Sequence, residues 1–221
     1  MIKSPPAVLR DGAEGNERLT AMTGAVLLIL LLVECYTILH LGQLLTLHFF
    51  LGMLLLGPVT LKAGSVLYRF VRYYTGSAPY RRKGPPAPLP RVIGPVIMLL
   101  TACVFGSGVM LAVTGPGYYG PATGWLQIHR LSFIAWAFFI VIHVLTYLPR
   151  LPRLLAAEVR GVPVEAGGTE GEHAAIARHA RRAMEVLGGR GTRLALLVAS
   201  LLGGLVIALL TVHLAGQWQF A

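Results

Sequence analysis

The chain has 221 residues, 55% of them hydrophobic and only 13% charged, with a mean hydropathy of +0.68. Soluble globular domains carry about 25% charged residues, so this composition excludes an ordinary water-soluble fold. The net charge of +10 and pI near 10.2 invite a nucleic-acid reading, but the basic residues flank long apolar runs and are better placed as membrane-surface loops.

Residues 1–19 are polar and include Pro5 and Pro6. No short apolar run with a small-residue cleavage site comes first, so they read as a retained tail rather than a signal peptide. Apolar stretches follow at about 20–41, 44–68, 92–114, 125–148 and 194–215. Each can cross a hydrocarbon core, which takes about 20 residues of helix. The expected fold is all-α: an integral membrane bundle of five transmembrane helices. Its parts are a tail (1–19), a four-helix core (20–148), a basic loop (149–193), and a fifth helix with the C-terminus (194–221).

Span 1 contains Glu34 and Cys35 and ends at His40. Span 2 opens with His48 and carries Lys62. The segment 72–91 is rich in Pro and Gly, which predicts an irregular loop. Span 3 holds Gly94, Cys103 and Gly108, and a turn-rich connection over 115–124 follows. Span 4 carries His129, Arg130 and His143. The loop 149–193 includes a predicted basic amphipathic helix at 172–187, suited to an anionic leaflet, a partner subunit or simply solvent. Span 5 ends at His213. The two cysteines lie singly in apolar runs and read as packing residues.

Of the 19 Lys and Arg, three lie in the tail, six in residues 69–91 and eight in residues 150–193. With five spans, these segments share one side, which the positive-inside rule makes cytoplasmic. The C-terminus is then outside. Tyr118, Tyr119, Trp125 and Trp218 read as the outer aromatic belt, and Tyr68, Tyr73, Tyr74 and Tyr147 as the inner one.

Intramembrane histidines carry the chemistry. His129 and His143 are 14 residues apart, close to four helical turns, so they share a face and stand roughly 21 Å apart along the axis. A ring nitrogen in lipid needs a partner, and two imidazole depths suit two stacked b-type haems. His48 and His129 open spans of the same direction and so fall at similar depth near the outer face, as a bis-histidine ligand pair. Arg130 can neutralise a propionate or anchor at the interface. Fourteen residues beyond His48 stands Lys62, opposite His143. A lysine inside a span is costly; it can ligate iron, pair with a propionate, meet a quinone or snorkel inward. Gly94 and Gly108, also 14 apart, admit either a porphyrin face or a neighbouring helix. Glu34, His40 and His213 can line an outer quinone pocket or serve as packing residues.

Paired histidines 14 apart on the second and fourth helices, with glycines 14 apart between them, resemble cytochrome b of the quinol–cytochrome c oxidoreductases. More loosely, the chain is similar to the small b-type subunits of membrane oxidoreductases. The likeness covers about residues 20–148 and implies haem ligands at His48, His129 and His143, with Lys62 standing where the pattern has a fourth histidine. It implies an electron carrier between a quinone pool and a partner redox subunit in a bacterial plasma membrane, with one or two haems b. No nucleotide, flavin or iron–sulfur motif is present, so other chemistry belongs to a partner. The competing reading is a haem-free scaffold or transporter subunit.

Overall fold

The computed structural model describes residues 8–82, 84, 88–115, 124–160 and 172–218. It is 96% helical, with no strand among the described residues. The helices are α1 (Val8–Leu39), α2 (Leu41–Tyr74), α3 (Ala78–Arg82), α4 (Pro88–Thr114), α5 (Trp125–Tyr147), α6 (Leu151–Arg160) and α7 (Glu172–Thr211). Single 3-10 segments, Leu148–Arg150 and Val212–Trp218, follow α5 and α7. Five helical stretches are long and apolar enough to cross a membrane: Ala13–Leu39, Leu41–Tyr74, Arg91–Thr114, Trp125–Arg160 and Gly189–Trp218.

These sequences stay helical because their polar side chains are satisfied within the helix. The hydroxyls of Thr20, Thr23, Thr60, Thr146 and Thr211 donate to the carbonyl four residues back, at 2.7 to 2.8 Å. Such bonds spare a hydroxyl the cost of facing hydrocarbon. Pro58 and Pro95 lie inside α2 and α4, as membrane helices tolerate. α1 passes into α2 through a tight turn at His40, and Leu44, with φ −113° and ψ 20°, kinks the start of α2.

Helix extends further than the composition suggested. α1 begins at Val8, inside the stretch expected to be a polar tail. The segment 72–91, expected to be irregular, contains the end of α2, all of α3 and the start of α4. Its prolines cause little disruption where they fall at helix starts: Pro79 is second in α3 and Pro88 first in α4, positions where no N–H is required. Gly76 and Gly84 take positive φ, 86° and 76°, and flank α3. The helix expected at 172–187 is continuous with the last span, because α7 runs unbroken to Thr211. Its side chains up to 188 lie outside the described ones, as do Tyr118 and Tyr119.

The chain divides into two packed units. Unit one comprises residues 1–25, 61–85 and 148–199. Its interior holds an ion cluster beside apolar side chains such as Leu19 and Leu197. Glu158 of α6 accepts from Arg193 of α7 at 2.8, 2.9 and 3.1 Å and from Arg18 of α1 at 3.4 Å, and Arg18 also meets Glu14 at 2.7 Å. Arg18, Glu158 and Arg193 are all buried.

Unit two comprises residues 26–60, 86–147 and 200–221. Met53, Ala112 and Ala208 form its centre, with Phe49, Phe50, Leu54, Leu56 and Leu214 packed around them. A β-carbon at Gly57 would run into the Ser200 carbonyl, and one at Gly204 into the Leu54 carbonyl, so α2 and α7 approach backbone to backbone. α4 packs on α5, where Trp136 Nε1 donates to Thr101 Oγ1 at 2.9 Å.

The exposed surface is the apolar one. Leu99, Leu131 and Leu210 are 66%, 66% and 68% exposed, and Ile134, Phe138 and Leu202 likewise face outward. Ala112, Ala208, Ser107, Thr23 and Thr37 lie inside. Lipid tails solvate large apolar side chains as well as a protein core does, so small residues are kept for close helix contact.

Candidate functional site

Two histidines expected to share a depth, His48 and His129, both belong to unit two. Each is held through Nδ1. His129 Nδ1 lies 3.0 Å from the Val104 carbonyl and 3.1 Å from Ser107 Oγ. Ser107 directs its hydroxyl proton into its own helix, at 2.6 Å from the Cys103 carbonyl and 3.1 Å from that of Val104. A carbonyl can only accept, so Nδ1 carries the proton. The lone pair of His129 is therefore on Nε2.

His48 reaches the same state with different partners. Its Nδ1 lies 2.9 Å from Glu34 Oε1 and 3.2 Å from Thr37 Oγ1. Thr37, fully buried, donates to the Glu34 carbonyl at 2.7 Å and approaches Glu34 Oε2 at 3.3 Å. With that hydroxyl proton engaged and a carboxyl oxygen as acceptor, Nδ1 is the donor, and in the neutral ring Nε2 then holds the lone pair. Metal-bound histidines are generally oriented in this way, the second ring nitrogen donating to a carboxylate or a backbone carbonyl. Two imidazoles with free Nε2 atoms in one unit fit the axial requirement of a b-type haem. Among the described residues no group of three or more His, Cys, Asp or Glu gathers as a metal cluster.

Gly108 lies against this site: a β-carbon there would stand 3.2 Å from His129 Cε1 and 3.6 Å from Nδ1. It admits the imidazole ring itself. A β-carbon at Gly94 would meet no atom within 4 Å. Arg130, adjoining His129 in sequence, is exposed.

The other expected residues are placed separately. Lys62 lies in unit one, and its Nζ donates to the Thr20 carbonyl at 2.7 Å. Gly24 makes room for it, since a β-carbon there would stand 2.6 Å from Nζ. His143 lies in unit two, its ring 4.8 Å from that of Tyr147. His40 is exposed, stacks on Tyr36 at 4.5 Å and bonds the Tyr36 carbonyl at 3.1 Å, within its own turn. His213 is exposed. Of the three residues expected around an outer quinone, only Glu34 contacts a ligand candidate.

Thr37, Val104 and Ser107 went unrecognised in the sequence. Their signal is slight: a hydroxyl three residues after a buried acid, and another beside a glycine in an apolar run. Together the five apolar helices and the outward-facing apolar side chains define an α-helical, multi-pass membrane protein. Comparison of the chain with protein-family models, curated proteins and solved structures found no match.

Proposed function

We propose that this chain is a membrane-integral b-type cytochrome that carries electrons between a quinone pool and a partner redox protein. The observation that supports this most directly is the arrangement of His48 and His129. Both imidazoles are half-buried in the same unit, both are held through Nδ1, and both keep Nε2 for a ligand. A haem bound there supplies a one-electron centre inside the hydrocarbon layer. The protein's part is to fix ring orientation through Val104, Ser107, Glu34 and Thr37, and to exclude water with the surrounding apolar side chains. Arg130 is the cation nearest in sequence and is proposed as the partner of a haem propionate.

The proposal extends to a second haem on His143, with Gly94, of the same unit, as a further contact. It also places the chain in a bacterial plasma membrane, its N-terminus cytoplasmic, because the basic segments gather on one side of five spans.

A visible spectrum of the purified full-length protein tests the central claim. A Soret band with the sharp α-band of low-spin haem, and one or two haems per chain by pyridine haemochromogen, is expected. Protein that takes up no haem during expression with ample haem supply overturns the reading in favour of a scaffold or transporter subunit.

A further inference from the structure

The two imidazoles of the candidate site differ in what receives their Nδ1 proton. His129 donates to the neutral carbonyl of Val104, at 3.0 Å. His48 donates to the carboxyl group of Glu34, at 2.9 Å, inside a span where acidic side chains are expensive and rarely incidental. Glu34 is buried, and Thr37 Oγ1, 3.3 Å from its second oxygen, helps hold it in place. A β-carbon at Gly52 would lie only 3.7 Å from Glu34 Oε1, so α2 passes close to the carboxyl.

We infer that Glu34 is a positioning residue that makes His48 the stronger donor of an unequal ligand pair and thereby lowers the reduction potential of the metal it binds. This rests on the proposed haem site. A carboxylate accepting the Nδ1 proton gives the imidazole partial imidazolate character and raises the basicity of Nε2. A more basic ligand, with a negative charge behind it, stabilises ferric iron over ferrous. The neutral carbonyl behind His129 exerts no comparable charge effect. The asymmetry also orients the site: His48 is the ligand through which the protein sets the potential, and His129 is held chiefly by geometry.

The test is an anaerobic optical redox titration of full-length protein in detergent, comparing wild type with Glu34→Gln and Ser107→Ala. Glutamine keeps an oxygen acceptor for Nδ1 and removes the charge. The expected result is an intact low-spin spectrum and haem content with a raised midpoint potential. A tenfold shift in the one-electron equilibrium corresponds to about 59 mV. Ser107→Ala is expected to shift the potential far less. A Glu34→Gln protein with full haem and an unchanged potential overturns the inference while leaving the haem site standing. Wild-type protein without haem overturns both. A second test leaves Glu34 in place: His48→Gly filled with imidazole or with N-methylimidazole. A lower potential with imidazole, which alone can donate to Glu34, supports the role, and equal potentials overturn it.

Discussion

Gly108 of α4 and His129 of α5 meet so closely that a methyl group on the glycine would stand 3.2 Å from the ring's Cε1. That distance is tighter than ordinary van der Waals contact, and the ring is also held by the Val104 carbonyl one turn earlier on the same helix. Gly108→Ala is therefore expected to push the ring by a few tenths of an ångström and weaken haem retention, and Gly108→Val to abolish it. Haem content per chain after purification measures both. Gly94→Ala, with open space around it, is expected to leave the outer haem unchanged.

Replacing either proposed ligand is expected to be more severe. His48→Ala and His129→Ala should each eliminate the low-spin spectrum of the outer haem. Electron paramagnetic resonance of the oxidised protein checks this, with loss of the low-spin signal expected in both variants. Retention in both places the ligands elsewhere. His40 is disfavoured as the substitute because its ring is turned back to Tyr36, in the last turn of α1.

Lys62 donates to the Thr20 carbonyl, an interaction that a ligand to iron would have to give up. Lys62→Met is accordingly expected to leave the iron spin state unchanged, as read from the visible spectrum. Conversion from low-spin to high-spin iron would establish ligation instead.

Glu158 stands between two buried arginines, Arg18 and Arg193. Removing one member of a buried ion cluster leaves uncompensated charge and costs about 3–5 kcal/mol. Glu158→Ala is expected to lower thermal stability in detergent strongly. Arg160→Ala, at an exposed site on α6 in the same unit, is expected to cost much less. Equal losses would count against the cluster as the main tie among α1, α6 and α7.

Tyr80 is buried beside Tyr68. Burial raises its phenol pKa, and Tyr68 adds to the rise against the opposing pull of Arg72 and Arg69. A proton held more tightly in the folded state stabilises the fold fully below the unfolded value of about 10. That contribution is lost as pH rises through the higher folded value. Phenolate absorbance of wild type minus Tyr80→Phe should reveal one tyrosine titrating above the others. A difference curve centred at the ordinary value would refute this.

Membrane insertion was legible in the sequence because it depends on sums over about 20 residues. Five runs of apolar side chains with the charges kept between them leave helices as the open-chain way to satisfy the backbone in lipid. The ends of those helices were less legible. Pro79 and Pro88 look like breakers as residue types, yet their positions at helix starts make them compatible with helix. The shared depth expected for His48 and His129 rests on topology and the helical rise, which fix how far along a span a residue lies.

What the tertiary structure alone decided is the chemistry behind each ring. Hydrogen-bond partners depend on how neighbouring helices are rotated, and an angle about the helix axis is not encoded in residue spacing. Packing of α4 on α5 brings the Val104 carbonyl and Ser107 to His129, and the turn at His40 brings Glu34 back to His48. The same rotation directs Lys62 to Thr20 and gives Gly108 to the imidazole ring. The sequence by itself determined a five-span helical chain with histidines at set depths. Side-chain directions, set by contacts between helices far apart in sequence, decided which nitrogen of each histidine is free.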